Sequence, residues 1–376
     1  RVTVNAGLRY DVQTFSDLVN DDTNNISPRL GVAWDVTGNG RSVLRTAAGL
    51  YYAPLPLRAV ANAIQRTGSD YRIVQVTPTT PGAPVFPNVM TSVPAGVLSN
   101  VISIDPDIES SRSDQFSVQY ERQLGANGSA SVAYEHLRGH GILVGPNINV
   151  PTTTDPTVPN LGRPDPRFAN NQQYQSIGDS WYNGMTVALA QRPVSWGSAR
   201  LSYTFSKALD TAGNFFFFQP QNAHDIDAER SRSDNDQRHR VVLSGTLTTP
   251  SGPGDTLLRK VTNGWMFSYI YTYSSALPFN IQIPTDRNGD TNFNDRPEGV
   301  GRNAGEGFDY RALDLRLSRT FGLPSGFTLE AIVDAFNVLN RANYQVPNNI
   351  ITSPTFGQPT AVNDPRQLQL GLRVQF

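Results

Sequence analysis

The sequence predicts an all-β protein: a transmembrane antiparallel β-barrel portion of about 12 strands, with short periplasmic turns and long extracellular loops. Two observations predict it. Polar and apolar residues alternate in about twelve segments of roughly ten residues, the length of a tilted strand that crosses a bilayer. The connections between these segments are alternately short and long. A soluble β-sandwich also has alternating strands, but its loops need not sort by length, so the barrel is the better prediction.

Composition excludes several other classes of protein. The 376 residues carry a formal net charge of -1, from 31 Lys and Arg against 32 Asp and Glu, which gives no argument for a nucleic-acid partner. Cysteine is absent, so disulfides, thiolate metal sites and a cysteine nucleophile are excluded. No run approaches the ~18 apolar residues of a transmembrane helix, and no stretch has a sustained helical period. Catalytic and nucleotide-binding motifs are also missing, and we predict that the chain is not an enzyme.

The alternating segments follow one another along the whole chain. The first runs from Val2 to Tyr10, and because the sequence begins within it, we expect a fragment cut on its N-terminal side. In the last segment, Leu368, Leu370, Leu372, Val374 and Phe376 fall on one face. The segments between them are Leu30–Val36, Phe116–Tyr120, Val132–Tyr134, Met185–Leu189, Leu201–Phe205, Val241–Leu247, Trp265–Tyr273, Leu313–Leu317 and Leu329–Val333.

The connections sort into two groups by length. In outer-membrane barrels the short turns face the periplasm and the long loops face the outside of the cell. Short turns are predicted near residues 37–40, 125–128, 193–197 and 322–326, with one of medium length near 250–262. Long polar segments are predicted near 11–27, 52–112, 139–179, 208–236, 275–308 and 338–366.

The chain ends on an aromatic residue, Phe376, directly after strict alternation. A soluble domain usually ends in a frayed polar tail. A last strand that ends on Phe at the membrane edge resembles the signal read by the outer-membrane barrel assembly machinery. We therefore expect that machinery and outer-membrane lipid as partners, and the outer membrane of a Gram-negative bacterium as the location.

Four internal stretches carry a family resemblance. Residues 28–52, 228–245, 286–297 and 334–344, together with Phe376, resemble the TonB-dependent, Oar-like outer-membrane receptors. The resemblance implies a 22-stranded barrel around an N-terminal plug, often with a β-sandwich before the plug. Residues 1–376 would then be the C-terminal part of such a barrel, with the plug and the N-terminal domains absent.

The resemblance also implies a function. Such receptors import a scarce nutrient, here a siderophore, a glycan or a peptide, with energy that the TonB complex delivers through the plug. The alternative from a different class is a passive porin or an adhesin-type barrel. The aromatic residues of the loops suit glycans, peptides and metal chelates equally well.

One loop has the composition of a calcium site. Asp286, Asn288, Asp290 and Asp295 lie in a short loop, and oxygen ligands at alternate positions resemble Ca²⁺ loops of the EF-hand type. The bidentate Glu of that motif is missing, because Pro297 stands at its position. The alternative is an Asx-rich turn whose side chains cap their own backbone. No other cofactor is expected.

Two further stretches are candidates for ligand contact. Alternation directs Asp236, Arg238 and Arg240 towards the barrel lumen, where they could contact a ligand or the plug, or form an ion-pair ladder along the wall. The apolar stretch at residues 214–220 could touch a ligand or pack beneath the loops.

Overall fold

The computed structural model describes residues 1–15, 19–69, 71–78, 80–152, 162–250 and 256–376. Twelve long strands form the continuous path of one sheet, and three short strands join that sheet at its margins. The long strands are β1 (Val2–Gln13), β2 (Asp22–Asp35), β3 (Ser42–Ala53), β4 (Ser111–Leu124), β5 (Gly128–Val144), β6 (Phe168–Val194), β7 (Gly197–Asp210), β8 (His239–Thr248), β9 (Trp265–Ser274), β10 (Tyr310–Gly322), β11 (Thr328–Phe336) and β12 (Gln367–Gln375).

Each long strand pairs with the next one along the chain, and every one of these pairings is antiparallel. The predicted fold class and the number of strands are confirmed. Within the described residues β1 and β12 each pair with one strand only, so the sheet has two free edges.

The connections alternate between the two ends of the sheet, as predicted. At one end lie the short connections 36–41, 125–127, 195–196 and 323–327 and the medium connection 249–264, which has 16 residues. At the other end lie 14–21, which has only eight residues, and the long connections 54–110, 145–167, 211–238, 275–309 and 337–366. Phe376 ends on the side of the short turns. All undescribed residues fall within connections, so those parts of the loop predictions lie outside the described residues.

Several strands are longer than the sequence predicted. β6 has 27 residues, whereas a tilted strand needs ~9–11 to cross the hydrocarbon. Its first residues therefore stand above the membrane, where the short strand Ser99–Ile104 pairs with them in parallel. β1 and β2 are also extended, which leaves residues 14–21 as a shorter first loop than predicted.

Where the structure describes the loops, they contain two α-helices that the sequence pattern did not reveal. Helix α1 (Leu57–Gln65) has nine residues, too few for a stable helix in isolation, and forms where its buried Val60 and Ala63 pack in the loop region. Helix α2 (Leu257–Thr262) lies in the medium connection and begins at Thr256, whose side chain accepts the Arg259 N–H. No helix of the described residues is both long enough and apolar enough to cross a membrane.

The two faces of the sheet differ in polarity. On β11, Val333 of the apolar row is 43% exposed, whereas Asp334 on the opposite face is 7% exposed. On the other face, cross-strand pairs carry charge: Arg316 lies 2.6 Å from Asp334, and Arg373 lies 3.6 Å from Glu330. The predicted separation is confirmed, because the apolar face suits lipid and the charged face suits a wet lumen.

Several aromatic side chains lie at the end of the sheet that carries the short turns. Trp34 and Trp265 lie beside two of these turns, and Trp196 lies within a third. The rings of Phe327 and Phe376 lie 6.3 Å apart at the last turn. This arrangement is the aromatic girdle that outer-membrane barrels place at a membrane interface.

The hydrophobic core of the described residues lies among the long loops rather than on the sheet. It joins α1, the strand Ser99–Ile104 and the loop ends of β5 and β6, and Tyr174 at its centre is fully buried. Its buried members are Val19, Leu55, Ala59, Val60, Ala63, Ile102, Ile104, Ile108, Leu143 and Tyr174.

The difference between the faces predicts opposite results for two adjacent substitutions on β6. Val187 lies on the apolar face, and Thr186 on the polar face accepts or donates a hydrogen bond with Thr204 on β7. An arginine that faces lipid near the midplane costs ~2–4 kcal/mol, so Val187→Arg should reduce the folded yield in lipid vesicles, measured by heat-modifiable electrophoresis. Thr186→Arg is the control and should fold nearly as well as the original chain. Equal yields for the two variants would contradict this orientation.

Candidate functional site

A buried ion network connects two of the long loops, 211–238 and 275–309. Glu229 is 1% exposed and binds Arg296 through two hydrogen bonds, of 2.8 and 2.9 Å. Arg302 donates to the Glu229 carbonyl at 3.1 Å and also pairs with Asp210 at the end of β7. One acid of the first loop is thus bound by two arginines of the second.

The burial of this network makes each member depend on the others. A buried charge loses its hydration and is stable only when it is paired and hydrogen-bonded. If Glu229 is removed, Arg296 remains buried without its partner, and such a loss costs ~3–5 kcal/mol. The network therefore fixes the relative positions of the two loops.

The structure brings two of the three predicted lumen residues together. Asp236 is fully buried and lies 2.9 Å from Arg232 and 3.1 Å from Arg238, and it also accepts the N–H of Ala208 at 2.7 Å. Arg240 is exposed and lies lower on β8, opposite Thr204. These contacts favour the ion-pair interpretation for Asp236 and Arg238 and leave Arg240 as the accessible one.

The acidic loop at residues 286–295 is ordered by its own side chains. Asp286 accepts the N–H groups of Gly289 and Thr291, at 2.7 and 2.8 Å. Asn288 accepts the N–H of Asp290 at 2.9 Å, and Asp295 accepts the N–H of Asn288 at 3.2 Å. These are the Asx-type contacts of the turn interpretation. The predicted role of the loop as a calcium site stays a prediction.

The surroundings of Asp290 in this loop disfavour its charged form. Burial raises the pKa of Asp290 above its ordinary value, and the nearby charges of Asp286 and Asp295 raise it further. The N–H of Asn292, which Asp290 accepts at 2.8 Å, only partly opposes these effects. The charges of Asp286 and Asp295 therefore lie close enough to disfavour the ionised form of Asp290.

The acidic loop contacts two other parts of the loop assembly. Asn294 donates to the carbonyl of Gln219 at 3.0 Å, and Thr291 donates to the side chain of Asn170, near the start of β6, at 2.6 Å. An open cleft of about 470 Å³ lies beside it, lined by Gln221, Asn288, Asp295, Arg296 and Glu298 among others. A polar ligand that reaches the loops would find donors and acceptors there.

The apolar stretch at 214–220 packs mainly beneath the loops. Phe216 and Phe217 pack against the buried core, and Phe216 meets Tyr174 edge-on at 5.7 Å. Phe215 is about half exposed and is the member that a ligand could reach.

Sequence reasoning missed the pairing within the buried network. Glu229 and Arg296 both lie in stretches that carry the family resemblance, but nothing in the pattern indicates that they meet across 67 positions. Sequence reasoning also did not single out Asn294, which joins the acidic loop to Gln219. In the residues that the structure describes, no group of three or more His, Cys, Asp or Glu side chains is arranged to hold a metal ion.

Comparison with known families identifies the sheet. A family model described as "Outer membrane beta barrel domain" matches residues 5–301 and 299–369. The chain belongs to this family. Its location in the outer membrane of a Gram-negative bacterium is thereby confirmed. No curated protein matches the sequence.

Solved structures share the fold at low sequence identity. The outer-membrane transporter YddB from Escherichia coli is 15% identical, with a TM-score of 0.65, and the match covers 99% of this chain and 43% of YddB. A mutant of the ferric enterobactin receptor PfeA from Pseudomonas aeruginosa is 14% identical, with a TM-score of 0.57 and coverage of 99% and 42%. The iron transporter FrpB from Neisseria meningitidis is 13% identical, with a TM-score of 0.55 and coverage of 99% and 42%.

These matches establish the fold of an outer-membrane receptor or transporter barrel. The chain spans less than half the length of each of these three proteins. Two of these three proteins are transporters and the third is a receptor.

The buried network predicts a large effect on the order of the loops. Glu229→Ala should weaken the closed loop arrangement by about 3–5 kcal/mol, because it leaves the buried Arg296 without its ion-pair partner. Limited proteolysis of the folded chain should then cut residues 211–238 and 275–309 faster, since cleavage follows the population of the open form.

The control is Arg287→Ala in the second of these loops. Arg287 pairs with Glu298 at 2.9 Å, but the two side chains are 49% and 85% exposed, and exposed pairs contribute about 1 kcal/mol or less. The cleavage rate of this variant should stay near that of the original chain. Equal rates for both variants would show that the buried network does not hold the loops.

Proposed function

We propose that the chain is the C-terminal barrel part of a TonB-dependent receptor that takes up a scarce nutrient across the outer membrane. The nutrient classes we propose are a siderophore, a glycan or a peptide. The observation that carries this proposal is the ordered loop assembly at one end of the sheet, which has its own hydrophobic core and buried ion pairs. Ordered loops present a ligand with fixed side chains, and such preorganisation raises affinity.

The free edges of the sheet support the view that further strands complete the barrel. Unpaired backbone groups cost several kcal/mol each in hydrocarbon, so membrane-spanning sheets close. β1 and β12 each leave one side unpaired within the described residues. We propose that additional strands join these two edges in a 22-stranded barrel, whose lumen holds the plug that the TonB complex engages.

The ligand would enter through the loop end of the sheet. The cleft beside residues 286–298 offers a positive and a negative side chain, because Arg287 and Glu298 line it. Arg240 extends the polar surface along the sheet below, and Phe215 offers an exposed ring. We propose these as contacts for a ligand that combines polar groups with an apolar or aromatic part.

Cellular uptake distinguishes this function from a passive one. Cells that produce the full-length protein would be offered labelled ferric enterobactin, ferric pyoverdine, a maltooligosaccharide and a short peptide, in the presence and absence of functional TonB. We expect one of these classes to accumulate only when TonB is functional. Accumulation that continues without TonB would favour a porin, and adhesion without uptake of any probe would favour an adhesin.

We also propose that Phe376 contacts the barrel assembly machinery. It is 98% exposed at the end of the last strand. Phe376→Ser should lower the amount of folded protein in the outer membrane, measured by heat-modifiable electrophoresis of membrane fractions. Phe327→Ser is the matched control, because Phe327 lies at the same interface with its ring 6.3 Å from that of Phe376. An equal loss for both variants would mean that the ring contributes packing rather than a recognition signal.

A further inference from the structure

The acidic loop contains three buried oxygen atoms that have no hydrogen-bond partner among the described residues. They are Oδ2 of Asp290, Oδ1 of Asn294 and Oδ1 of Asp295. Asp290 and Asp295 are buried, with exposed fractions of 4% and 0%. A buried acceptor without a donor is costly, and three of them within six residues require an explanation.

The charge of the loop is also uncompensated. The two arginines nearest to the acids in the sequence are engaged elsewhere: Arg287 with Glu298 at 2.9 Å, and Arg296 with Glu229 at 2.8 Å. Among the ion pairs of the described residues, none includes Asp286, Asp290 or Asp295. Three neighbouring carboxylates thus lack a positive partner.

The two observations together specify the chemistry of the missing partner. A water molecule could donate hydrogen bonds to the free oxygens, but it would leave the negative charge in place. A cation satisfies both the oxygens and the charge. Carboxylate and amide oxygens in an irregular set suit Ca²⁺, which accepts six to eight oxygen ligands in flexible geometry, better than Mg²⁺, which demands an octahedron and keeps its waters.

We propose that Asp290, Asn294 and Asp295 form a Ca²⁺ site, with Asp286 supplying further negative charge. The ligand set differs from the sequence prediction. The oxygens of Asp286 and Asn288 accept backbone N–H groups, whereas Asn294, which the prediction did not include, has a free oxygen. The proposed ligands are two carboxylates and one amide, which is consistent with the described residues having no group of three or more His, Cys, Asp or Glu side chains arranged around a metal.

The position of the site gives Ca²⁺ a structural effect. The peptide carbonyl of Asp290 accepts from Asn147 at 3.4 Å, and Asn294 donates to the carbonyl of Gln219 at 3.0 Å. The ligand residues themselves therefore contact both of the neighbouring loops, 145–167 and 211–238. Ca²⁺ should order all three loops together. Without a bidentate Glu, we expect the affinity of extracellular modules, a Kd of ~10⁻⁴–10⁻³ M.

The test is titration of the full-length protein in detergent with CaCl₂, followed by calorimetry and by limited proteolysis of the loops. We expect one saturable site in the range given above, with slower cleavage once Ca²⁺ is bound. MgCl₂ at the same concentrations should protect much less. Flat calorimetric traces with unchanged cleavage, or equal protection by MgCl₂, would overturn the proposal.

Variants locate the site. Asp290→Asn keeps the shape of the side chain and removes one of three mutually repelling charges, so it should fold as well as the original chain in the presence of a chelator. It should weaken Ca²⁺ binding at least about tenfold, which corresponds to ~1.4 kcal/mol. Asp21→Asn removes one exposed acid from another loop and is the matched control, which should bind Ca²⁺ normally. Unchanged binding by Asp290→Asn, or equal weakening by both variants, would contradict the assignment.

Discussion

The structure depends on one constraint: in hydrocarbon, every backbone N–H and C=O must find its partner within the protein. Antiparallel strands meet this constraint with their neighbours, and consecutive pairing from β1 to β12 keeps the connections outside the membrane. The same constraint allows one face of each strand to be apolar, because lipid replaces the protein core. The charged pair of Arg316 and Asp334 then lies on the opposite face, where the lumen of a barrel holds water.

Because the apolar side chains of the sheet face lipid, the hydrophobic core of the described residues lies among the loops instead. The long loops stand in water and must be ordered by the forces that order a soluble domain. They achieve this with α1, with the strand Ser99–Ile104 and with Tyr174, all of which belong to one hydrophobic cluster. The buried network around Glu229 adds a second set of contacts between loops that are distant in the sequence. The molecule thus combines a membrane sheet with a small soluble-type assembly built from its connections and the adjoining strand ends.

The sheet could be predicted from the sequence because its signals are local. The period of two within each segment can be recognised without any knowledge of distant contacts. The same is true of the alternation of loop lengths. The loops could not be predicted in this way. Helix α1 has only nine residues and forms where partners far along the chain meet it, and Glu229 pairs with Arg296 across 67 positions. Composition indicated the acidic loop as a site, but only the hydrogen bonds distinguish Asn294, whose oxygen is free, from Asn288, whose oxygen is used.

Among the described residues of the loop assembly, three buried acids pair with arginine and two do not. Glu229 is bound by Arg296 and Arg302, Asp210 by Arg302, and Asp236 by two arginines of its own loop. Each of these acids is buried, and each has a positive partner, as the cost of desolvation requires. Asp290 and Asp295 are buried to the same extent but have no such partner among the described residues. The other buried acids of this assembly are neutralised by arginine. Asp290 and Asp295 pair with no arginine among the described residues, because Arg287 and Arg296 pair with Glu298 and Glu229, and this favours a bound cation as the counter-charge.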